Sequence, residues 1–333
     1  MHILFFAPYF NQPRGNSTTI KRIVHFLQLR NINASVIPYL EKDNWYLPNA
    51  DIFHILHATR FVKWSSENNF ILNRPYVLTM GGTDINIDLK PDMDGDMFSF
   101  INDASFITVF TEDAREKVGK LYPRWLEKTK VISQGVWLPW GISEIQDALD
   151  PRILLPAGLR PVKDVLNVLP ALDHLVEVYP NIDFSILGAN LDNDVFNQVQ
   201  SAASERKWMK YAGVVPYEVM KIWYDKAQII INTSISEGQS LAVMEAMAMG
   251  RPVIARKNAA NEALIRHEQT GWLYDTMGEF IEAVHSIVRN DALREKVVRQ
   301  AREWISQHNS PEKEAESYRN LYELVFFHIN NTE

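Results

Sequence analysis

The stretch from Gln228 to Ala255, QIIINTSISEGQSLAVMEAMAMGRPVIA, decides the fold. Its apolar run Gln228 to Asn232 ends in small polar residues, which predicts a buried strand followed by a turn. From about Gln239 the apolar positions take a helical spacing, Gly250 stops that helix, and Pro252 to Ala255 reads as another strand. Strand, helix and strand in so short a run predict a parallel crossover, since an antiparallel pair would need only a hairpin. The helix start also carries chemistry. Backbone N–H groups over Gly238, Gln239, Ser240 and Leu241 would have no intrahelical partner and could bind phosphate without a cation. Glu237 precedes the helix and Glu245 lies about two turns in. That spacing returns to nearly the same face, so the two carboxylates are expected to flank one pocket.

The same alternation continues outward in both directions. Strands are predicted at Ile3 to Ala7, Ala34 to Pro38, Ile52 to Leu56, Tyr76 to Met80, Phe106 to Phe110 and Lys130 to Ser133, with a helix over Thr18 to Arg30. After a turn-rich stretch from Gln134 to Pro151, strands resume at Arg152 to Leu155 and Phe184 to Leu187. Residues 1–145 are therefore read as one domain and 151–310 as a second. Ser310-Pro311 opens a terminal helix over 311–333 with Tyr318, Leu321, Leu324 and Val325 on one face. The fold class is α/β, with doubly wound parallel sheets.

Composition narrows the function. The 333 residues are enough for two domains, and 46% apolar with 23% charged residues is ordinary for a globular protein. A net charge of -7 disfavours a nucleic-acid partner, which would call for clustered Lys and Arg. No apolar run is long enough for a membrane span, and the opening Met1 to Phe6 lacks a basic region and meets Pro8 too early for a secretory leader, so cytoplasmic residence is expected. The helix over Arg22 to Arg30 could touch a membrane peripherally, although its stripe of Ile23, Val24 and Leu27 fits a sheet better. With no cysteine, thiolate metal sites and cysteine nucleophiles are excluded.

Several further positions could line a site. In PAGLRPVKD, Gly158 ends a strand, and Arg160 and Lys163 could neutralise a diphosphate leaving group. Gly188 and Gly213 close apolar strands where a nucleotide crevice would open. Gly15-Asn16-Ser17-Thr18 follows the first strand and leads into a helix, so its backbone could approach a bound sugar or diphosphate. His54, His57 and Arg60 follow a strand, but no third metal ligand is evident, and a structural or acceptor-binding role is expected. Asp92, Asp94 and Asp96 lack the glutamate that a calcium loop needs and read as a polar loop.

Glu237, seven residues and Glu245, followed by AMAMGRPVIA, resemble the E-x7-E motif of glycosyltransferase family 4. GLRPVKD is similar to that family's diphosphate loop, with the Arg displaced by a residue and the Lys close behind it. The resemblance implies the GT-B fold, two Rossmann-like domains facing a cleft, with the terminal helix packed back on the first. It implies a retaining, metal-independent hexosyl transfer from a UDP-, GDP- or ADP-sugar to a small or lipid-linked acceptor, with no further cofactor. In that pattern Glu237 sits beside the donor sugar, Glu245 holds the ribose, and Val214 and Val215 contact the base. Gly81-Gly82-Thr83-Asp84 falls where many members have a His-Asp pair beside the reacting sugar, so Thr83 and Asp84 join His57 and Arg60 as candidates near the acceptor. That departure leaves two alternatives open: a nucleotide-sugar-binding regulatory protein with weak turnover, and an enzyme using a non-hydroxyl nucleophile such as sulfur or selenium.

Overall fold

The computed structural model describes residues 1–12, 15–41, 46–142 and 151–330, and of the last three of these the backbone alone. Contacts divide the chain into two units, Met1–Gly135 with Asn309–Glu333, and Val136–His308. Residues 143–150, where the turn-rich stretch places the domain boundary, lie outside the described residues.

The first unit runs β1 (His2–Ala7), α1 (Gly15–Gln28), β2 (Asn33–Pro38), β3 (Ile52–Leu56), α2 (Ala58–Glu67), β4 (Tyr76–Thr79), α3 (Gly95–Asp103), β5 (Phe106–Val109), α4 (Glu112–Leu121) and β6 (Thr129–Val131). The second runs β7 (Arg152–Pro156), α5 (Leu169–Val178), β8 (Asp183–Leu187), α6 (Asn193–Glu205), β9 (Met209–Gly213), α7 (Met220–Lys226), β10 (Ile229–Asn232), α8 (Leu241–Ala248), β11 (Val253–Arg256), α9 (Ala259–Leu264), β12 (Trp272–Tyr274), α10 (Met277–Arg289) and α11 (Asp291–His308). The terminal helix α12 (Pro311–Asn330) returns to the first unit.

Each unit holds a six-stranded parallel sheet, ordered β2-β1-β3-β4-β5-β6 in the first and β12-β11-β10-β7-β8-β9 in the second. The strand direction of travel reverses between β1 and β3, and again between β7 and β10. In doubly wound sheets such reversals leave a crevice outside the carboxyl ends of the two strands, because the following loops diverge to opposite faces. Strand periodicity explains why the runs are mostly apolar. In β7 Ile153 and Leu155 enter the core shared with α5, α6 and α10, while Leu154 enters the core shared with α7, α8 and α11. Both faces are covered, so the few polar side chains in the strands, such as His54 and Ser185, are buried as well.

In the first unit α12 packs against α1 as expected, but with a polar contact at its centre. Arg22, part of the basic charge that the helix over Arg22 to Arg30 carries, is buried and donates to Glu314 in a two-pronged pair, Nε to Oε2 at 2.7 Å and Nη2 to Oε1 at 2.9 Å. His54 lies between the Tyr322 hydroxyl at 2.5 Å and Thr79 Oγ1 at 2.6 Å, and burial lowers its pKa to about 3. It is a neutral core group. Tyr318, Leu321 and Val325 are buried as predicted, whereas Leu324 is 48% exposed and Tyr322 takes its place on the packed face. Among the described residues no helix is long and apolar enough to cross a membrane.

Removing one partner of a buried pair strands the other charge, so Glu314→Ala should cost about 3–5 kcal/mol in chemical denaturation. The double replacement Arg22→Met with Glu314→Leu should restore most of that loss, and a single variant as stable as the parent would show that Arg22 finds compensation elsewhere.

Candidate active site

The site of the second unit forms at its reversal, where the loop leaving β7 meets the loop leaving β10. After Pro156 the chain turns beside β8: Ala157 N–H donates to Leu187 O at 2.7 Å and Leu159 N–H to Ala189 O at 2.9 Å. Gly188 allows this approach, since a Cβ there would stand 2.1 Å from Ala157 O. Gly158 is similarly confined, by Leu191. The chain then makes a tight turn over Pro161–Lys163, with Arg160 at its start and Asp164 in the left-handed region at φ 42°.

Two hydrogen bonds to main-chain carbonyls bind this turn to the other loop. Ile235 N–H donates to Val162 O at 2.9 Å, and Thr233 Oγ1 donates to Lys163 O at 2.7 Å. Arg256 adds a side-chain tie, its Nη1 standing 2.7 Å from Asp164 Oδ2. The result brings Lys163 Nζ to 2.5 Å from Glu237 Oε1, with both side chains largely buried. Ser234 Oγ donates to the same oxygen at 2.8 Å and Asn232 Nδ2 approaches it at 3.2 Å. Burial acts to raise the Glu237 pKa, but the Lys163 charge and the hydrogen bonds from Lys163, Ser234 and Asn232 outweigh it and hold the carboxyl below its ordinary value. Asn232 is itself fixed by Asn261 Nδ2, which donates to its Oδ1 at 3.0 Å.

Helix α8 starts at Leu241 with Ser240 as its cap, later than the start near Gln239 that the periodicity predicts. Ser240 offers a hydroxyl to the free amides, so Gly238 and Gln239 stay in the preceding loop. Glu237 is therefore not on the helix, and its spacing from Glu245 does not place the two acids on one helical face. They occupy different settings. Glu245 is buried, with Tyr217 Oη donating to Oε1 at 3.0 Å and Tyr224 Oη to Oε2 at 2.9 Å. Tyr224 keeps its proton firmly, because burial and the neighbouring carboxylate both push its pKa well up.

The remaining predicted residues distribute as follows. Val214, half exposed, and Val215 follow Gly213 at the end of β9, where the backbone turns through φ 72°. Gly15 and Asn16 form the first turn of α1 rather than a loop before it. In the first unit, His57 and Asp84 are brought together, Nδ1 to Oδ1 at 3.0 Å, with Thr83 preceding a wide turn over Asp84–Asp88. Arg60 lies over the ring of Tyr9, 5.9 Å from its centroid. Asn232, Ser234, Tyr217, Tyr224 and Arg256 escape the sequence reading. A polar Asn closing the apolar run Ile229 to Ile231 is the one signal that could have flagged a member of this set.

Comparison with known proteins agrees with this geometry. Residues 145–304 match the family described as glycosyl transferases group 1. The chain is 27% identical over 342 aligned positions to glycosyltransferase 1 domain-containing protein 1 of Xenopus tropicalis, covering 96% of this chain and 97% of that protein. Its fold is similar to Alr3699/HepE of Anabaena, seen in complex with UDP and glucose, with a TM-score of 0.76 at 16% identity over 97% of this chain and 99% of that one. It is also similar to sucrose-phosphate synthase of Thermosynechococcus elongatus, with a TM-score of 0.74 at 14% identity over 98% and 99% of the two chains. The two sheets thus have the GT-B fold, and residues 145–304 carry the match to the glycosyl transferases group 1.

Proposed function

We propose that this protein transfers a hexose from a nucleotide diphosphate sugar to an acceptor with retention of anomeric configuration. The observation that carries the reading is the Lys163–Glu237 pair at the β7/β10 reversal, beside the start of α8. A diphosphate entering that crevice meets the Lys163 cation, a second in Arg160, and the N-terminal end of α8. The likeness to a UDP complex favours UDP as the nucleotide.

In this mechanism the bond between the anomeric carbon and the phosphate oxygen breaks with both electrons leaving on oxygen. Lys163, Arg160 and the α8 amides stabilise that growing charge, which is larger in the transition state than in the bound donor. The acceptor attacks from the leaving-group face and its proton passes to the departing phosphate. Glu237 holds the Lys163 ammonium in place and accepts hydrogen bonds from the sugar. Glu245, pre-oriented by two tyrosine hydroxyls, accepts from the ribose. Charge neutralisation by side chains and amides leaves no requirement for a metal at the diphosphate. The family 4 spacing of Glu237 and Glu245 supports the donor side of this reading, and a small or lipid-linked hydroxyl compound is proposed as the acceptor.

Native protein should be stabilised by UDP more than by GDP or ADP in a thermal-shift panel, by about 2.7 kcal/mol at a hundredfold excess over Kd. Folded protein unmoved by all of these nucleotides and their sugar conjugates would overturn the proposal. In steady-state assays Lys163→Ala should lower kcat roughly 10²–10³-fold, whereas Glu245→Ala should act chiefly on donor KM. Unchanged kinetics in both variants would remove this set of residues from the active site.

The ion pair also has a pH signature. Because the folded-state pKa of Glu237 is depressed, its stabilising contribution is present above the unfolded carboxylate pKa and is lost as pH falls through the folded one. Lys163→Met leaves burial less opposed, so the acid limb of a stability curve from about pH 3 to 7 should move to higher pH. An unmoved limb would mean that Ser234 and Asn232 alone keep the carboxylate ionised.

A further inference from the structure

The reversal in the first sheet lies between β1 and β3, and the first residue beyond β3 is His57. Its backbone is left-handed, φ 72° and ψ 91°, a conformation uncommon for a residue with a side chain of this size. The imidazole is turned toward the loop beyond β4. There Asp84 and Asp88 bound a wide turn closed by the Leu89 N–H to Asp84 O bond of 2.7 Å, and residues four apart on such a turn are neighbours. One ligand atom each from His57, Asp84 and Asp88 lies within 4.8 Å of the others, the one such group among the described residues.

The polar bookkeeping of this cluster is incomplete without a further positive charge. Asp84 is buried, with Oδ2 accepting from Gly81 N–H at 2.8 Å while Oδ1 has no hydrogen-bond donor among the described residues. His57 is 8% exposed, and neither ring nitrogen makes a hydrogen bond. Its Nδ1 and Asp84 Oδ1 stand 3.0 Å apart without the alignment of a hydrogen bond. Asp88 Oδ2 accepts from Thr59 Oγ1 at 2.7 Å, which fixes the carboxylate, and neither aspartate is paired with a Lys or Arg among the described residues. Two neighbouring carboxylates, that of Asp84 buried and that of Asp88 half-buried, repel one another and cost free energy unless a cation joins them.

We propose that His57, Asp84 and Asp88 form a binding site for one divalent cation of the Mn²⁺ or Zn²⁺ class. An imidazole with two carboxylates is the mixed nitrogen and oxygen donor set these ions accept, and two negative charges balance the ion. A spacing of 3.0 Å between Nδ1 and Oδ1 suits a cation about 2.1 Å from each, at an angle of about 90°. Thr59 and the Gly81 amide act as outer partners that orient the two carboxylates. Three protein ligands leave coordination positions for water or an acceptor oxygen. Each residue of the site belongs to the first unit.

The test uses full-length protein free of any affinity tag, stripped with chelator and titrated calorimetrically with MnCl₂ and, separately, ZnCl₂. One equivalent of at least one ion should bind, with a matching rise in Tm. His57→Asn, which keeps a residue tolerant of the left-handed conformation, and Asp88→Asn, which keeps volume and a partner for Thr59, should each weaken binding at least tenfold. Both should unfold cooperatively in the absence of metal. No saturable binding of either ion up to about 100 μM, or binding equally tight in both folded variants, overturns the site.

Discussion

The pair between Lys163 and Glu237 joins two loops that leave adjacent parallel strands and would otherwise diverge. Parallel sheets supply position at such a reversal but no cohesion, because each loop turns away to a helix on a different face. Here the cohesion is polar: Val162 and Lys163 carbonyls accept from Ile235 and Thr233, and Arg256 reaches Asp164. The ion pair closes that set over a core in which β7 and β10 contribute only aliphatic side chains. A buried carboxylate would ordinarily favour its neutral form, and the cation reverses that preference. Charge at the site thus depends on the Lys163 contact between the loops together with the Ser234 and Asn232 hydrogen bonds.

The two acids of the E-x7-E pattern are held by opposite means. Glu245 receives neutral hydroxyl donors from Tyr217 and Tyr224, one of them fully enclosed, so its position is set by packing. Glu237 receives a cation and two small polar donors on a loop. An anchor for a part of the donor that does not react benefits from the first kind of setting, and a group beside the reacting centre benefits from the second, where a shared cation can transfer its interaction to a developing anion.

Most of the fold was legible because period-two burial and helix spacing are local signals. The runs Ile52 to Leu56 and Phe184 to Leu187 are mostly apolar and buried at every position, as strands covered on both faces are, and Pro311 marks the start of α12. Trp272–Tyr274 is too short to show a period and was not expected as a strand. The site was legible in part. Glu237, Lys163 and Glu245 announce themselves as charges near glycine-rich turns, but the face-sharing argument for the two acids failed, since Ser240 starts the helix after Glu237. Nothing local connects Tyr217 and Tyr224 to Glu245, or Arg22 to Glu314, because those contacts exist only once separate elements have packed.

The same limit accounts for His57. From sequence it pairs naturally with His54, three residues earlier and equally available as a metal ligand. Strand geometry separates them: His54 is inside β3, enclosed between Tyr322 and Thr79, and burial suppresses its protonation. His57 is the first residue past the strand, and its left-handed backbone redirects the side chain toward the turn that begins at Asp84. Thr83-Asp84, which departs from the expected His-Asp dipeptide, therefore still has an imidazole beside its aspartate, delivered by a different strand. The imidazole and the carboxylate meet because β3 pairs with β4, not because they adjoin in the chain.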